Sequence, residues 1–326
     1  MLAAWYERNG AARDVLRVGE QPEPLPGKGE VRIRLRASGL NPSDVKARGG
    51  SRPVVPPRVI PNSDGAGTID RVGAGVSRRR VGQRVWVYNG QWQRASGTSA
   101  QYIVLPVAQA VPLPRKLSYQ QGACLGIPVM TAHRCLFADG PIRNRNVLVT
   151  GGAGVVGHYA VQLARWAGAR VIATVSSSEK AAHARKAGAH EVIVYGREDT
   201  GARLTELTRG QGIDRVVDVE FGANLSTYVK ALRQGAVVAT YASMKDAAPT
   251  LPFYDLMRLN FTLRMVFVYT MSAAAKARAL ADIARWVSAG RPKFAIAARF
   301  PLDEIVAAHE LVESGQKVGH VVLDIP

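Results

Sequence analysis

Cysteine is almost missing from this chain: of 326 residues only Cys124 and Cys135 carry a thiol. Two thiols cannot build a disulfide framework or a four-cysteine zinc lobe, and such sparing use fits a reducing, cytoplasmic setting. Long apolar runs are missing too. No stretch approaches the ~18 residues of a membrane span. The opening MLAAWYERNG is charged and polar and has no apolar region of the kind a secretory signal carries. There is no repeat of solenoid period and no low-complexity segment. Carboxylates are outnumbered, 25 Asp and Glu against 43 Lys and Arg, for a formal net charge of +18. That excess is dispersed and mostly arginine. Its densest run, Arg78-Arg79-Arg80, lies among Gly73, Gly75 and Gly82, without the interleaved aromatics of a single-strand-binding platform. The charge reads as a solvated basic surface rather than a specific nucleic-acid site, with weak, salt-sensitive RNA binding left open.

What is present is an ordinary globular balance, 47% hydrophobic and 21% charged, in a length that suits about two domains. The chain is organised around Asn146 to Gly157, NVLVTGGAGVVG. Val147 to Val149 read as a buried strand, Gly152, Gly154 and Gly157 follow with G-x-G-x-x-G spacing, and a helix runs from Val155 to Trp166 with Val156, Ala160, Leu163, Ala164 and Ala167 on one face. Strand, glycines and helix in that order are the context in which the motif cradles a dinucleotide. The first glycine is expected to make the turn, the second to admit backbone N–H groups to a pyrophosphate, and the third to let helix and strand pack. The cradle thus comprises Gly152, Ala153, Gly154, Val155, Val156 and Gly157, with the phosphates at the helix N-terminus.

Residues 1 to about 120 read as short strands. Glu30 to Arg36 alternates, pointing Val31, Ile33 and Leu35 inward and Arg32, Arg34 and Arg36 outward. Gly65–Val72, Arg84–Val87 and Tyr102–Val107 continue the pattern between glycine-rich turns, which suits a small barrel-like domain. Ser118 and Gln121 form a capping box for a helix through Leu125, and another helix is expected from Thr131 to Ala138. Strands and helices then alternate: Arg170–Val175, a helix over 178–187, Glu191–Tyr195, Arg215–Glu220, a helix over 225–232, and Ala236–Tyr241. This is the rhythm of a doubly wound parallel sheet, with Leu263–Tyr269 as its sixth strand. The predicted boundaries are 1–122, 123–265 and 266–326. The last segment supplies the sixth strand, and its helices, 273–288 and 303–314, with the strand 319–324, return to the first domain.

In such a fold an acidic residue about 20 positions beyond the glycines takes the adenosine ribose hydroxyls. Here the end of the second strand reads Val175-Ser176-Ser177-Ser178-Glu179-Lys180, with no carboxylate at the strand end. Ser176, Ser177, Ser178 and Lys180 offer donors and positive charge, which favours NADP(H) over NAD(H). Ser178 doubles as a helix N-cap, and Tyr195, ending the third strand, flanks the same phosphate or simply packs there.

Taken with the first domain, these residues resemble the zinc-free quinone oxidoreductases, the zeta-crystallin-like branch of the medium-chain dehydrogenase/reductase superfamily, over nearly the whole chain. The marks are ASGLNPSD at 37–44, the stretch Ile60 to Gly67, ACLGIP at 123–128, Thr131-Ala132, and the run from Val147 to Lys180. The resemblance implies a GroES-like β-rich domain joined to a Rossmann domain, with the active site in the cleft between. It also implies NADPH as reductant of quinones or of α,β-unsaturated carbonyls, and a homodimer, for which the apolar segment Leu263–Tyr269 is a candidate edge-to-edge contact. Zinc-dependent relatives place Cys where Asn41 stands, His-Glu where Ser63-Asp64 stand, and Cys near Ile127, so the resemblance implies no catalytic metal and direct hydride transfer.

The same resemblance casts Asn41 as an amide that hydrogen-bonds the acceptor, the alternative being an Asn-Pro turn residue. It casts Asp44 as an organiser of that loop, Thr131 as a neighbour of the nicotinamide or a helix cap, and Phe267, Val268 and Tyr269 as backbone contacts to the carboxamide. Bacterial members often carry tyrosines where Lys46 and Arg52 stand; Lys46 or Arg52 is a candidate cationic replacement, or else a solvated side chain. Asn62 replaces the family's usual glycine, so a different loop shape is expected. Gly315 replaces a basic residue near the C-terminus, with Lys317 a weak substitute. Three readings stay open: a quinone reductase, a reductase of enones or enoyl thioesters, and a non-catalytic protein that binds NADPH or RNA.

Overall fold

The computed structural model describes all 326 residues, in two units: Met1–Pro128 with Phe294–Pro326, and Val129–Lys293. This partition departs from the one expected. The helix Ala273–Ala289 belongs to the second unit, and the chain rejoins the first only at Phe294. The reason is packing. Ala279, Ile283, Trp286 and Val287 are buried along one face of that helix, Trp286 lies edge-on to Tyr159 at 6.1 Å, and Asp282 meets His133 at 2.8 Å.

In the first unit a seven-stranded sheet is built on Glu30–Leu40, which pairs antiparallel with Asp64–Val72, Tyr102–Pro106 and His320–Asp324. Arg84–Val87 and Ala110–Pro112 extend it on one side and Ile296–Pro301 on the other. Val31, Ile33 and Leu35 are buried as the alternation predicts. Arg32 is buried too, against expectation. It does leave the core face, but Asp70 and Glu23 accept hydrogen bonds from its guanidinium and Tyr102 covers it at 4.5 Å. A paired, stacked guanidinium tolerates such cover.

The second unit is a six-stranded parallel sheet. Its strands stand in the order Glu191–Val194, Arg170–Val175, Asn146–Val149, Ile213–Asp218, Leu232–Thr240, Thr262–Met265. The chain reverses direction across the sheet beside Asn146–Val149, which puts the glycine turn at the topological switch point. The sixth strand stops at Met265, four residues before the expected end, and Val268–Thr270 form a 3-10 turn. The helix Val155–Trp166 forms as predicted, but it is buried all round from Gly157 to Ala164 rather than on one face. The expected capping box is present, with Ser118 Oγ accepting from Gln121 N at 3.2 Å and Gln121 Oε1 from Ser118 N at 3.0 Å. Its helix, however, spans only Tyr119–Gly122. The next helix begins early, at Ile127, so Thr131 lies inside it and caps nothing.

Candidate active site

The dinucleotide turn is shaped by four glycines, and the division of labour differs from the expected one. The left-handed residue is Gly151, with φ 62°; Gly152 is required for space instead. A Cβ on Gly152 would stand 2.7 Å from Ala173 Cβ, and one on Gly157 would overlap the Gly151 carbonyl. Gly154 is exposed at the N-cap of Val155–Trp166, which has no side-chain cap. The first-turn N–H groups of Val155, Val156 and Gly157 are therefore left for an anion, the condition for diphosphate binding at a helix start. Ala153 is buried beneath the turn. The turn is fixed from the next strand: Thr150 Oγ1 donates to Asp218 Oδ1 at 2.7 Å and accepts from Val219 N at 3.0 Å. These residues fit a dinucleotide.

At the end of the second strand the N-cap is Ser177, not Ser178. Ser177 is extended, and its Oγ accepts from Lys180 N at 3.2 Å. Ser178 opens the helix, and its Oγ accepts from Arg197 at 2.9 Å. Lys180 Nζ reaches Ser176 Oγ at 3.1 Å. The loop thus presents serine hydroxyls between two cations, beside a half-exposed Tyr195. Arg197 was not among the expected residues. The available signal was a basic side chain two positions past the third strand, where the chain turns back beside the second. Lys317, by contrast, spends its ammonium on the Gly319 carbonyl at 2.8 Å.

In the first unit Asn41 is buried and caps the helix Pro42–Lys46. Asp44 Oδ2 accepts its backbone N–H at 2.8 Å, and Asp64 Oδ2 accepts its side-chain Nδ2 at 2.8 Å. Ile127 N donates to the same Asp64 oxygen at 2.8 Å. Burial holds the Asp44 carboxyl up at about 7, and burial with Asp44 nearby pushes Asp64 well above the usual carboxylate range. Asn41 therefore sits between two carboxyls, of which only Asp44 was given a role on sequence. An amide, the Ser63 hydroxyl, one engaged carboxyl and Ile127 do not make a zinc site, and no group of three His, Cys, Asp or Glu stands together anywhere in the chain.

Lys46 is exposed at the end of that helix and makes no hydrogen bond or ion pair, so it is not brought to Asn41 by any contact. Arg52 lies over the Trp92 ring at 4.8 Å. Asn62 adopts φ 69°, a left-handed conformation that asparagine tolerates, and its Nδ2 donates to Ser38 Oγ at 3.1 Å. In the second unit Thr131 is buried, as are Val268 and Tyr269, whereas Phe267 is half exposed with its ring 5.1 Å from that of Tyr269.

Residues 27–115 match the model of the alcohol dehydrogenase GroES-like domain, and residues 155–285 that of the zinc-binding dehydrogenases. The second match falls within the dinucleotide-binding unit. A quinone oxidoreductase of Rattus norvegicus is 30% identical over 92% of this chain and 90% of its own. A 2-haloacrylate reductase of a Burkholderia species is 30% identical, covering 91% of each. Among solved structures, one described as an NAD-dependent alcohol dehydrogenase superposes with a TM-score of 0.90 at 30% identity over the whole of both chains. The Escherichia coli quinone oxidoreductase in complex with NADPH superposes at 0.86 and 25% identity, over 99% of this chain and all of its own. With the glycine turn, the paired folds and these likenesses in hand, the chain belongs to the quinone oxidoreductase branch of the medium-chain dehydrogenase/reductase superfamily and is an oxidoreductase.

Proposed function

We propose that this protein is an NADPH-dependent reductase of quinones that works without a metal. The observation that carries the reading is the end of the second strand, where no carboxylate stands and the Ser176 and Ser178 hydroxyls stand against Lys180 and Arg197. A 2′-phosphate finds charge-assisted donors there, and a bare ribose diol lacks its usual carboxylate partner. The NADPH bound by the Escherichia coli relative agrees with this choice, which rests on the loop itself because the alcohol dehydrogenase neighbour is described as NAD-dependent. When bound, the cofactor supplies a hydride. The glycine turn and the helix start at Val155 to Gly157 hold its diphosphate; Thr131 and the backbone of Phe267 to Tyr269 are assigned to the nicotinamide end. Asn41 is assigned to the acceptor, its amide donating to the oxygen on which charge develops as the hydride arrives. A proton completes the reduction to the hydroquinone. Lys46, exposed and unpaired, is kept only as a candidate electrophile.

The likeness to a 2-haloacrylate reductase favours one second reading, hydride addition to an activated C=C bond. NADPH consumption followed by absorbance, with 1,4-benzoquinone, 9,10-phenanthrenequinone, trans-2-hexenal and crotonyl-CoA as acceptors, separates the two. Turnover of the quinones alone is expected; turnover of the enal or thioester alone replaces the first reading by the second, and no turnover with any acceptor removes both.

The assembly we infer is a homodimer. The edge strand Thr262–Met265 pairs on one side only, and Met265 and Phe267 are 76% and 52% exposed. Phe253, Tyr254 and Met257 on the preceding helix are exposed as well. A second copy of the same strand satisfies the edge about a two-fold axis. No helix is long and apolar enough to cross a membrane, and two buried cysteines outside any disulfide suit a reducing cytoplasm.

A further inference from the structure

We propose that Asp64 is a positioning residue: held as a neutral acid, it fixes the orientation of the Asn41 amide that serves the acceptor. The proposal rests on the reading of Asn41 given above and adds to it the residue through which that amide is set.

The geometry is specific. One carboxyl oxygen of Asp64, Oδ2, takes both available donors, Asn41 Nδ2 and Ile127 N, each at 2.8 Å. The other oxygen, Oδ1, is buried and has no partner. It lies against Gly126, where any Cβ would overlap the carboxyl. The whole residue is 1% exposed. With no donor from the protein, an anionic oxygen at Oδ1 is more costly than a neutral hydroxyl in the same place, which puts the acid's proton on Oδ1 and leaves the carbonyl oxygen, Oδ2, to accept. The direction of the Asp64 shift, upward from burial and from Asp44, agrees.

Two consequences follow for Asn41. An acceptor on one side pins the amide with its nitrogen toward Asp64, so the flip that would exchange its N–H and carbonyl is blocked. Because that acceptor is neutral, the amide is oriented without a full negative charge beside it. A carboxylate at this place would oppose the charge that grows on a reduced carbonyl oxygen.

The test is a set of variants assayed with NADPH and a quinone. Asp64→Ala is expected to lower kcat on the order of 100-fold, the scale of a misplaced catalytic group, with the Kd for NADPH unchanged. Asp64→Asn keeps a carbonyl oxygen for both donors and is expected to restore the rate to within about threefold of wild type. The double variant with Asn41→Ala should be no slower than Asn41→Ala alone, as expected of residues acting as one unit. Gly126→Ala displaces the carboxyl without removing it and serves where Asp64→Ala fails to fold; the same loss of kcat is expected. In pH profiles, wild-type kcat should fall toward alkaline pH and that limb should vanish in Asp64→Asn. Asp44, which faces Asn41 and itself feels the charge of Arg52 and lies near the neutral Tyr6 phenol, is controlled by the profile of Asp44→Asn. If Asp64→Asn is as slow as Asp64→Ala, the side chain supplies its own proton or charge and the proposal is overturned. If Asp64→Ala and Gly126→Ala are as fast as wild type while Asn41→Ala is slow, the proposal falls and the reading of Asn41 survives. If Asn41→Ala is as fast as wild type, both fall.

Discussion

Thr150 and Asp218 are joined at 2.7 Å beneath the dinucleotide turn. Asp218 is fully buried and faces no cation; four donors satisfy it, from Thr150, Glu220, Asn224 and Tyr228. Removing that carboxylate strands all four. Asp218→Ala is expected to destabilise the protein by about 3 kcal/mol, and Asp218→Asn by less. Thr150→Val removes a single hydroxyl next to Gly151 and is expected to weaken NADPH binding more than it lowers the urea midpoint. Denaturation and calorimetric titration on the same samples measure both.

The two cations at the cofactor's far end should act on one phosphate only. Lys180→Ala and Arg197→Ala are each expected to raise the Kd for NADPH about tenfold and leave that for NADH unchanged, the size of one partly screened charge-assisted contact. Ser176→Asp should reverse the preference. Equal losses for both dinucleotides in the two alanine variants would place the cations elsewhere in the binding process.

Acid should loosen the first unit through His309. Its ring is buried beside Arg48, whose guanidinium also binds Gly10 and Glu313, and burial with that charge lowers the imidazole from 6.5 to about 3. Between those values the unfolded chain binds a proton that the native protein refuses, so stability is lost as pH falls below 6.5. From pH 7 to pH 5 this group alone is expected to withdraw about 2 kcal/mol. The slope of urea midpoint against pH should flatten in His309→Asn.

The carboxyls beside Asn41 have the opposite sign. Asp44 and Asp64 hold protons in the folded protein that the unfolded chain has released, so their contribution is present at low pH and is lost as pH rises through the raised values, about 7 for Asp44. Asp64→Asn should therefore gain stability over wild type as pH is raised from 5 to 8. A difference that does not change with pH would mean the acid is ionised in the native state.

Met265→Asp with Phe267→Asp places charge on the exposed edge. Sedimentation is expected to show wild-type protein as a dimer and the double variant as a monomer with an unchanged circular dichroism spectrum. A variant that stays dimeric moves the interface off this strand.

Elements defined by local chemistry were legible. Val155–Trp166 and the helix from Ser178 to Ala187 fall where the glycine turn and the serine cap put them. Elements defined by distant partners were not. Leu2–Trp5, Arg17–Glu20 and Ile296–Pro301 went unread, although His320–Asp324, the partner of the last, was legible as a strand; Ile296–Pro301 alternates only half-buried with exposed residues, so no buried apolar face marks it. Arg32 looked solvated because its cover comes from other strands. At the site, the spacing Asn41-x-x-Asp44 was readable because both residues share one helix start. Asp64 and Arg197 were missed because each meets its partner across a loop closure that spacing does not encode.

The first unit is closed by its own late return. Glu30–Leu40 pairs with His320–Asp324, a strand made only after all of Val129–Lys293 has been synthesised. On the ribosome, then, the segment that starts earlier finishes later. The parallel sheet can reach its native pairing while the amino-terminal one still has an open edge, and the nascent chain must keep that edge from strangers in the meantime.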